Sequence, residues 1–475
     1  MQIVSIETAC LGNRSYVLVD GGSAVVVDPP RDIDRIDAVL EEHAAAPRLV
    51  VETHRHADYL SGGLELARRH RAAYVVPPGE PQPRFGFEPA VDGERFEAAG
   101  IGVRILATPG HTPHHVAVVI EEGTRPVAVC TGGSLLHGSV GRTDLHGDER
   151  TVALAHDQWR SARRLLTELP EDTRLLPTHG FGSLCSAAPG AATASATLGE
   201  ERTVNPALQM AEQAFVATLV AGYGPVPRHY HRLPLLNAAG PSPIDLSPAP
   251  LLSTADLLRR QSEGHWLVDV RDRRSFAQSH VRGSINVEES GPLVAYLPWI
   301  LPPGSGVVLL GEATQVRSAA RQLTQVGIDR PLGVAVGSPQ EWVSGDLSLL
   351  GSYGVGTFAG FAAAAERGTA LALDVRSAPE WAASHVRDAL HLSLPELAEV
   401  VDPGRGRTQP FGGISGSTWV YCGGGFRAAV ATSLLHAAGA TVTLINEPFD
   451  AAVQAGLTVP GRPARESVVM AKQSL

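Results

Sequence analysis

Leu49-Val50-Val51-Glu52-Thr53-His54-Arg55-His56-Ala57-Asp58-Tyr59, with Ser61-Gly62-Gly63 close behind, is the stretch that decides the N-terminal fold. A short apolar run breaks into a polar cluster carrying two histidines, and glycines then open a helix. A strand ending in a chemically dense loop that leads into a helix is the unit of an α/β fold with functional loops at strand ends. The same pattern recurs in both directions. Upstream, Ser15 to Pro30 is two β-rich runs around Asp20-Gly21-Gly22, a hairpin signal. Downstream, apolar runs lead into Thr108-Pro109-Gly110-His111, Thr131-Gly132-Gly133-Ser134 and Pro177-Thr178-His179-Gly180, and Gly141-Arg142-Thr143-Asp144 lies between the last two. Helices are expected at Gly62–Arg71 and Ala153–Glu168. Two histidines at i and i+2 on a strand-end loop can turn both imidazoles toward one ion, and a third from another loop completes a facial set. Several such residues in one domain point to metal binding.

The chain has 475 residues, enough for about three domains. Lys+Arg 39 against Asp+Glu 49 gives a net charge of −10, a field that repels polyanions and argues against a nucleic-acid partner. With 44% hydrophobic and 19% charged residues the chain can fill real cores. Four cysteines, Cys10, Cys130, Cys185 and Cys422, are too few for a disulfide framework and lack CxxC spacing, which fits a reducing compartment. Met1 to Leu11 has no basic segment leading into an apolar one, and no stretch approaches about 18 uninterrupted apolar residues. A cytoplasmic protein with no membrane partner is expected.

A Pro-rich, weakly periodic stretch from Val226 to Pro250 marks the expected end of the first domain, and places His229 and His231 in a surface linker. Beyond it the sequence repeats itself. Leu267-Val268-Asp269-Val270-Arg271 and Ser279-His280-Val281-Arg282 recur as Ala372-Leu373-Asp374-Val375-Arg376 and Ser384-His385-Val386-Arg387, with Asp374 and His385 each 105 positions after their counterparts. Arg427 lies 110 positions after Arg317, so the second copy carries five extra residues. Ordered matches at one offset indicate duplication. Expected domains are therefore 1–245, 246–350 and 351–475. In the last, a β run ending at Tyr421 delivers Cys422, then Gly423-Gly424-Gly425-Phe426-Arg427, then an Ala-rich helix from Ala428 to Ala438. Three glycines let successive N–H groups curl inward at a helix N-terminus. With Arg427 nearby and partial exposure, a cysteine there is set up as a thiolate nucleophile that can carry a persulfide. In the first copy Glu312 stands at the cysteine's position and Ala313, Thr314 and Gln315 replace the glycines, so no persulfide can form there. Asp269 and Asp374 are read as loop-fixing residues.

The region from Leu251 onward resembles the rhodanese (sulfurtransferase) family. The six-residue loop from Cys422 to Arg427 matches rhodaneses, whereas related phosphatases have a longer loop. The resemblance implies sulfur transfer through Cys422, with Arg427 and the loop residues Gly423, Gly424, Gly425 and Phe426 holding the persulfide. Residues 1 to about 200 resemble the metallo-β-lactamase superfamily, most closely its persulfide dioxygenase branch. That implies an αββα sandwich followed by two rhodanese-type α/β domains, and a mononuclear iron centre, with zinc as an alternative, that oxidises a low-molecular-weight thiol persulfide to sulfite. By position, His54 and His111 match iron ligands, His56, Asp58 and His179 match other motif positions, and Arg142 matches a residue near the thiol substrate. Two departures stand out. Gly133 replaces the Asp that serves as third iron ligand, and Tyr59 replaces a motif His. The surviving face is His54, His56 and His111, with Asp58, His179, Asp144, His146 and His137 as further candidates. Sulfite formed in one domain and sulfane sulfur carried on Cys422 would together give thiosulfate. Sulfur transfer beside a metal-free N-terminal domain, and metal-dependent thioester hydrolysis, stand as alternatives. The thiol carrier, and whether the chain forms a homo-oligomer, stay open at this point.

Overall fold

Alternation along the first strands builds two faces at once. In the computed structural model, which describes residues 1–98, 100–187, 196–401 and 417–461, Tyr16, Leu18, Val25, Val27, Leu49 and Val51 enter one core while Val17, Val19, Ala24, Val26 and Val50 enter another. Successive side chains of a strand face opposite sides, so both faces need cover. The first sheet runs in order β1 (Gln2–Thr8), β2 (Asn13–Asp20), β3 (Ser23–Val27), β4 (Ala46–Val51), β5 (Ala73–Val76), β6 (Glu88–Pro89). The second comprises β7 (Arg95–Ala98), β8 (Ile101–Ala107), β9 (Val116–Glu122), β10 (Arg125–Gly132) and β11 (Arg174–Pro177), in order β11-β10-β9-β8-β7. Val103, Ile105, Val118 and Ile120 of the second sheet close the inner core. Helices Asp34–Glu42 and Gly63–His70 cover the outer face of the first sheet through Ile36, Leu40, Leu64 and Leu66. Helix Asp148–Glu168 covers the second through Ala155, Ala162 and Leu165. The result is the αββα sandwich. The β2–β3 hairpin turns on Gly21 (φ 52°) and Gly22 (φ 82°), the pair of left-handed residues a two-residue turn requires.

The chain divides into two compact units, Met1–Asp245 with Thr324–Gly327, and Leu246–Leu323 with Ile328–Leu475. The stretch expected to be a bare linker after Val226 is folded into the first unit. A 3-10 turn (Arg228–His231) and a helix (Leu233–Ala239) form there. Asn237 Nδ2 donates to the carbonyls of His56 (3.0 Å) and Tyr59 (2.9 Å), and its Oδ1 accepts from Ser61 N. Contrary to the surface role expected of it, His229 is buried, while His231 is exposed.

In the second unit the duplication shows in the topology. The first copy has a sheet ordered β14-β12-β15-β16, from β12 (Trp266–Asp269), β14 (Ile285–Asn286), β15 (Val307–Gly311) and β16 (Gly333–Val336), while β13 (His280–Val281) pairs with β17 (Leu350–Gly351). The second copy, ordered β18-β23-β22-β19-β21, repeats it with β19 (Ala370–Asp374), β21 (Leu390–His391), β22 (Ser417–Tyr421) and β23 (Val442–Ile445), adds β18 (Gly354–Gly356), and pairs β20 (Ser384–Val386) with β24 (Thr458–Pro460). Both DVR motifs do the same work. Asp269 accepts from Arg271, whose Nη2 also reaches Ser279 O, and Asp374, Arg376 and Ser384 repeat the clamp. Among the described residues no helix is long and apolar enough to cross a membrane.

Candidate metal centre and cysteine loop

Strands β3, β4, β8, β10 and β11 all deliver polar loops to one end of the sandwich. The residue after β3, Asp28, takes a left-handed φ of 50° and ties the sheets together there. Its Oδ1 accepts from Thr53 N (2.7 Å), and its Oδ2 accepts from Thr53 Oγ1 (2.7 Å) and from Thr178 Oγ1 on the loop after β11. Burial opposes its charge, but His56 and these donors outweigh burial and hold the carboxyl below its ordinary range.

His54, His111 and His179 converge in this end, all buried, with ligand atoms within 4.8 Å of one another. Their hydrogen bonds assign the tautomers. The Thr53 hydroxyl is spent on Asp28, so its oxygen accepts from His54 Nδ1 (2.9 Å). His111 Nδ1 donates to the carbonyl of Arg142 (2.7 Å). Asn13 Nδ2 donates to Asp58, leaving Asn13 Oδ1 to accept from His179 Nδ1 (2.9 Å). Each imidazole therefore turns a bare Nε2 inward. Burial lowers the pKa of all three and keeps them neutral, with neighbouring imidazoles pushing His54 and His111 lower still. The Nε2 atoms of His54 and His179 lie 3.2 Å apart. Two nitrogens bound at about 2.1 Å to one ion stand ~3.0–3.4 Å apart, so this spacing suits a shared cation. The donor set fits a metal ion of the borderline class that imidazole favours.

His56, expected on this face, is occupied elsewhere. Its Nε2 lies 3.2 Å from Asp28 Oδ1 and 3.3 Å from Glu52 Oε2. Burial alone would lower its pKa, but the two carboxylates raise it to about 10, so it is an imidazolium locked between acids. Two further groupings, Asp28 with His54 and His56, and His56 with Asp58 and His179, are close enough to share an ion, but both include this charged ring. Tyr59, standing where a histidine was expected, packs its ring at 4.3 Å from His56 and donates to Asp28 O. Gly133 leaves no room for the carboxylate it replaces, because a Cβ there would fall 2.2 Å from His111 Cδ2. The ring of His111 fills that space. His115 completes the wall, with Nδ1 on Thr108 Oγ1 and Nε2 accepting the N–H of Gly133 (3.0 Å), and burial pushes its pKa to about 3.

Arg142 does not present a free guanidinium. It is buried, bonded to Asp144 by Nε and Nη2 (2.7 Å each) and to Gly224 O, and its part in the cluster is the carbonyl that orients His111. Asp144, so bonded, belongs to none of the ion-sharing groups among the described residues. His137 lies 3.9 Å from Glu201, and neither it nor His146 belongs to any of the ion-sharing groups among the described residues. Glu52, Asp28 and Asn13 escaped sequence reading, since single polar residues at strand ends carry no motif. His229 has two unbonded ring nitrogens near Asp58, whose Oδ1 is likewise unbonded.

In the second unit, β22 ends and Cys422 follows, buried rather than partly exposed at 1%. Gly425 at φ 94° turns its N–H back onto Cys422 Sγ (3.1 Å), and the helix Phe426–Ala437 begins there. Arg427 grips Glu380 in a fork of 2.6 and 2.7 Å. Burial opposes the charge of Glu380, but Arg427 and the Ser377 cap lower its pKa to about 2. In the first copy the helix Ala313–Thr324 starts directly after Glu312, three residues earlier in register, because Ala, Thr and Gln continue a helix where glycines curl.

The family description "Metallo-beta-lactamase superfamily" matches residues 9–179, and "Rhodanese-like domain" matches 253–344 and 357–455. A hydroxyacylglutathione hydrolase of Rhodopseudomonas palustris is 31% identical over 231 residues, 47% of this chain and 81% of the relative. One from Synechococcus is 32% identical over 175 residues, 36% of this chain and 65% of the relative. The crystal structure of a metallo-β-lactamase from Staphylococcus aureus superposes with a TM-score of 0.65 at 22% identity, covering 71% of this chain and 99% of that one, a likeness of fold. The chain belongs to the metallo-β-lactamase superfamily through its N-terminal sandwich and continues into a tandem pair of rhodanese-like domains.

Proposed function

We propose that the protein oxidises a low-molecular-weight thiol persulfide to sulfite in its N-terminal unit and transfers sulfane sulfur through Cys422. The pairing of the two domain types supports a sulfur-metabolism or thiol-related role. The observation that carries the transfer half is the N–H of Gly425 on Cys422 Sγ in a loop the first copy lacks. An amide donor aimed at that sulfur can stabilise the charge that arrives there when the outer sulfur leaves. The balance is RSSH + O₂ + H₂O giving RSH, sulfite and two protons. Cys422 persulfide anion and sulfite then give Cys422 thiolate and thiosulfate, the S–S bond of the persulfide breaking as the new one forms.

His54, His111 and His179 would hold a mononuclear iron, which supplies the oxygen chemistry when bound. The chain's own residues do the rest. Thr53, Arg142 O and Asn13 fix the three rings with Nε2 inward, and the His56 imidazolium between Asp28 and Glu52 keeps the loop after β4 in place. With Arg142 bonded to Asp144 and Gly224, its part is to orient His111. Metal analysis together with oxygen uptake on glutathione persulfide tests the dioxygenase half, and absence of both sinks it. Loss of thiosulfate:cyanide transfer in Cys422→Ser tests the other.

The relatives named hydroxyacylglutathione hydrolase favour a second reading, thioester hydrolysis at the same cluster. Tyr59 and Gly133 remove two side chains a second metal would use. Two zinc ions per chain with turnover of an acylglutathione would establish it over the first.

A further inference from the structure

The first rhodanese-like copy has no cysteine, yet it reaches the loop that does. Arg273, in the short helix Arg273–Gln278 of the first copy, donates from Nη1 to the carbonyl of Gly424 (3.1 Å). Its guanidinium is not free to wander. Glu288 Oε1 accepts from Arg273 N (2.6 Å) and Nε (2.8 Å), and Glu288 Oε2 accepts from Nη2 (2.7 Å). The approach is close enough that a Cβ on Gly425 would fall 2.2 Å from Nη1, so a side chain there would displace the guanidinium, and the left-handed φ of 94° independently favours glycine. Two other contacts hold the copies together around the loop. Phe426 packs on Tyr296 at 5.6 Å, with Gly291 bare beneath it, and Asn286 N donates to Ser433 Oγ (3.0 Å). The second copy has no such Arg–Glu pair at the matching positions, since the residues 105 further on are Ala378 and Ser393.

The carbonyl of Gly424 and the N–H of Gly425 belong to one peptide group. A cation bonded to the carbonyl draws electron density toward oxygen and makes the N–H a stronger donor, and hydrogen bonds in such a chain reinforce one another. That N–H is the one that meets Cys422 Sγ. We propose that Arg273 of the cysteine-less copy is a positioning residue for sulfur transfer, acting through the Gly424–Gly425 peptide on Cys422 Sγ. This rests on the reading of Cys422 as the sulfur carrier. When the persulfide anion of Cys422 gives its outer sulfur to cyanide, the carbon–sulfur bond of thiocyanate forms, the S–S bond breaks, and the electron pair returns to Sγ as thiolate. Charge arrives at the atom the polarised N–H faces, so Arg273 lowers the barrier to offloading. The first copy thus contributes a charge to the loop that carries the second copy's cysteine.

Removing Arg273 alone would leave the buried Glu288 unpaired, so the comparison is Arg273→Met/Glu288→Gln against Glu288→Gln. A charged hydrogen bond lost from the transition state slows single-turnover transfer from loaded enzyme to cyanide by about tenfold. The expected result is that loss with little change in KM for cyanide, and a pH profile for Cys422 alkylation by iodoacetamide displaced to higher pH. Restoring a cation with Arg273→Lys on the Glu288→Gln background is expected to recover most of the rate, which a purely packing role would not do. Equal transfer rates and superimposable alkylation profiles with and without Arg273 overturn the proposal while Cys422 stands as carrier. Transfer that survives Cys422→Ser overturns the underlying reading as well.

Discussion

Gly133→Ala is the sharpest test of the metal cluster's construction. A methyl group at Gly133 would stand 2.2 Å from Cδ2, 2.6 Å from Cγ and 2.9 Å from Nε2 of His111. Ordinary carbon contacts are near 3.5–4.0 Å, so the ring must retreat by about 1 Å. Gly141 also approaches the ring closely, since a Cβ there would fall 2.6 Å from His111 Nδ1. Retreat breaks the 2.7 Å bond to Arg142 O, leaving a buried carbonyl without its donor. Overpacking costs about 1–3 kcal/mol and the lost bond about 1 kcal/mol. Together ~2–4 kcal/mol lowers the melting temperature of the N-terminal unit by about 5–15 °C, at roughly 2–4 °C per kcal/mol for a domain of this size. Displacing His111 Nε2 also removes one of three converging donors, so iron or zinc retained after dialysis should fall severely. The measurements are calorimetry on the metal-free protein and metal analysis after loading. A variant that melts within a degree of the parent and keeps its metal would refute the claim that His111 occupies the space left by the missing carboxylate.

Asn13→Ala removes the acceptor that fixes His179 and the donor on Asp58, and metal affinity measured by chelator competition should fall by about 10–100-fold with the fold intact. His56→Ala leaves Asp28 and Glu52 buried without their cation, and urea titration of the metal-free protein should show a loss of about 3–5 kcal/mol. If His56 were instead a ligand held loosely in the apo state, that loss would be small. The Glu380 pKa is depressed from 4.5 to about 2, so its contribution to stability is present above pH 4.5 and lost as pH falls through 2. Thermal unfolding of the wild type from pH 5 to pH 2 should therefore lose more stability than that of Glu380→Gln, and parallel curves would contradict the Arg427–Glu380 pairing.

The apolar runs and their terminal polar clusters were enough to read an α/β fold with chemistry at its strand ends, because both leave local traces, whereas the αββα sandwich followed from the resemblance to the metallo-β-lactamase superfamily. The tandem copies were equally plain, since Asp269/Arg271 and Asp374/Arg376 recur with their partners. Which histidines face one another was not legible. His54 and His56 are two residues apart on one loop, but the loop leaves β4 irregularly, and Asp28 and Glu52, each unremarkable in sequence, claim His56. The folded segment after Val226 was missed for a similar reason. Its helices are short and its key bonds, from Asn237 to the carbonyls of His56 and Tyr59, are tertiary and carry no periodicity. Likewise the glycines revealed the curl at Cys422 but not that the loop would be covered, since Tyr296 and Phe426 come together from different copies.

Asp28 binds Thr53 on one sheet and Thr178 on the other through a single carboxylate, and the three converging imidazoles are drawn from the same two sheets. Neither sheet can assemble the ion site by itself. During folding the site should therefore appear last, after the sandwich closes, and any opening of the sandwich should release its ion before the strands themselves unravel. Bound metal would then act as a clasp across the sheets, and hydrogen exchange at the edges of Thr53 and Thr178 should slow on metal loading far more than exchange within β2 or β9.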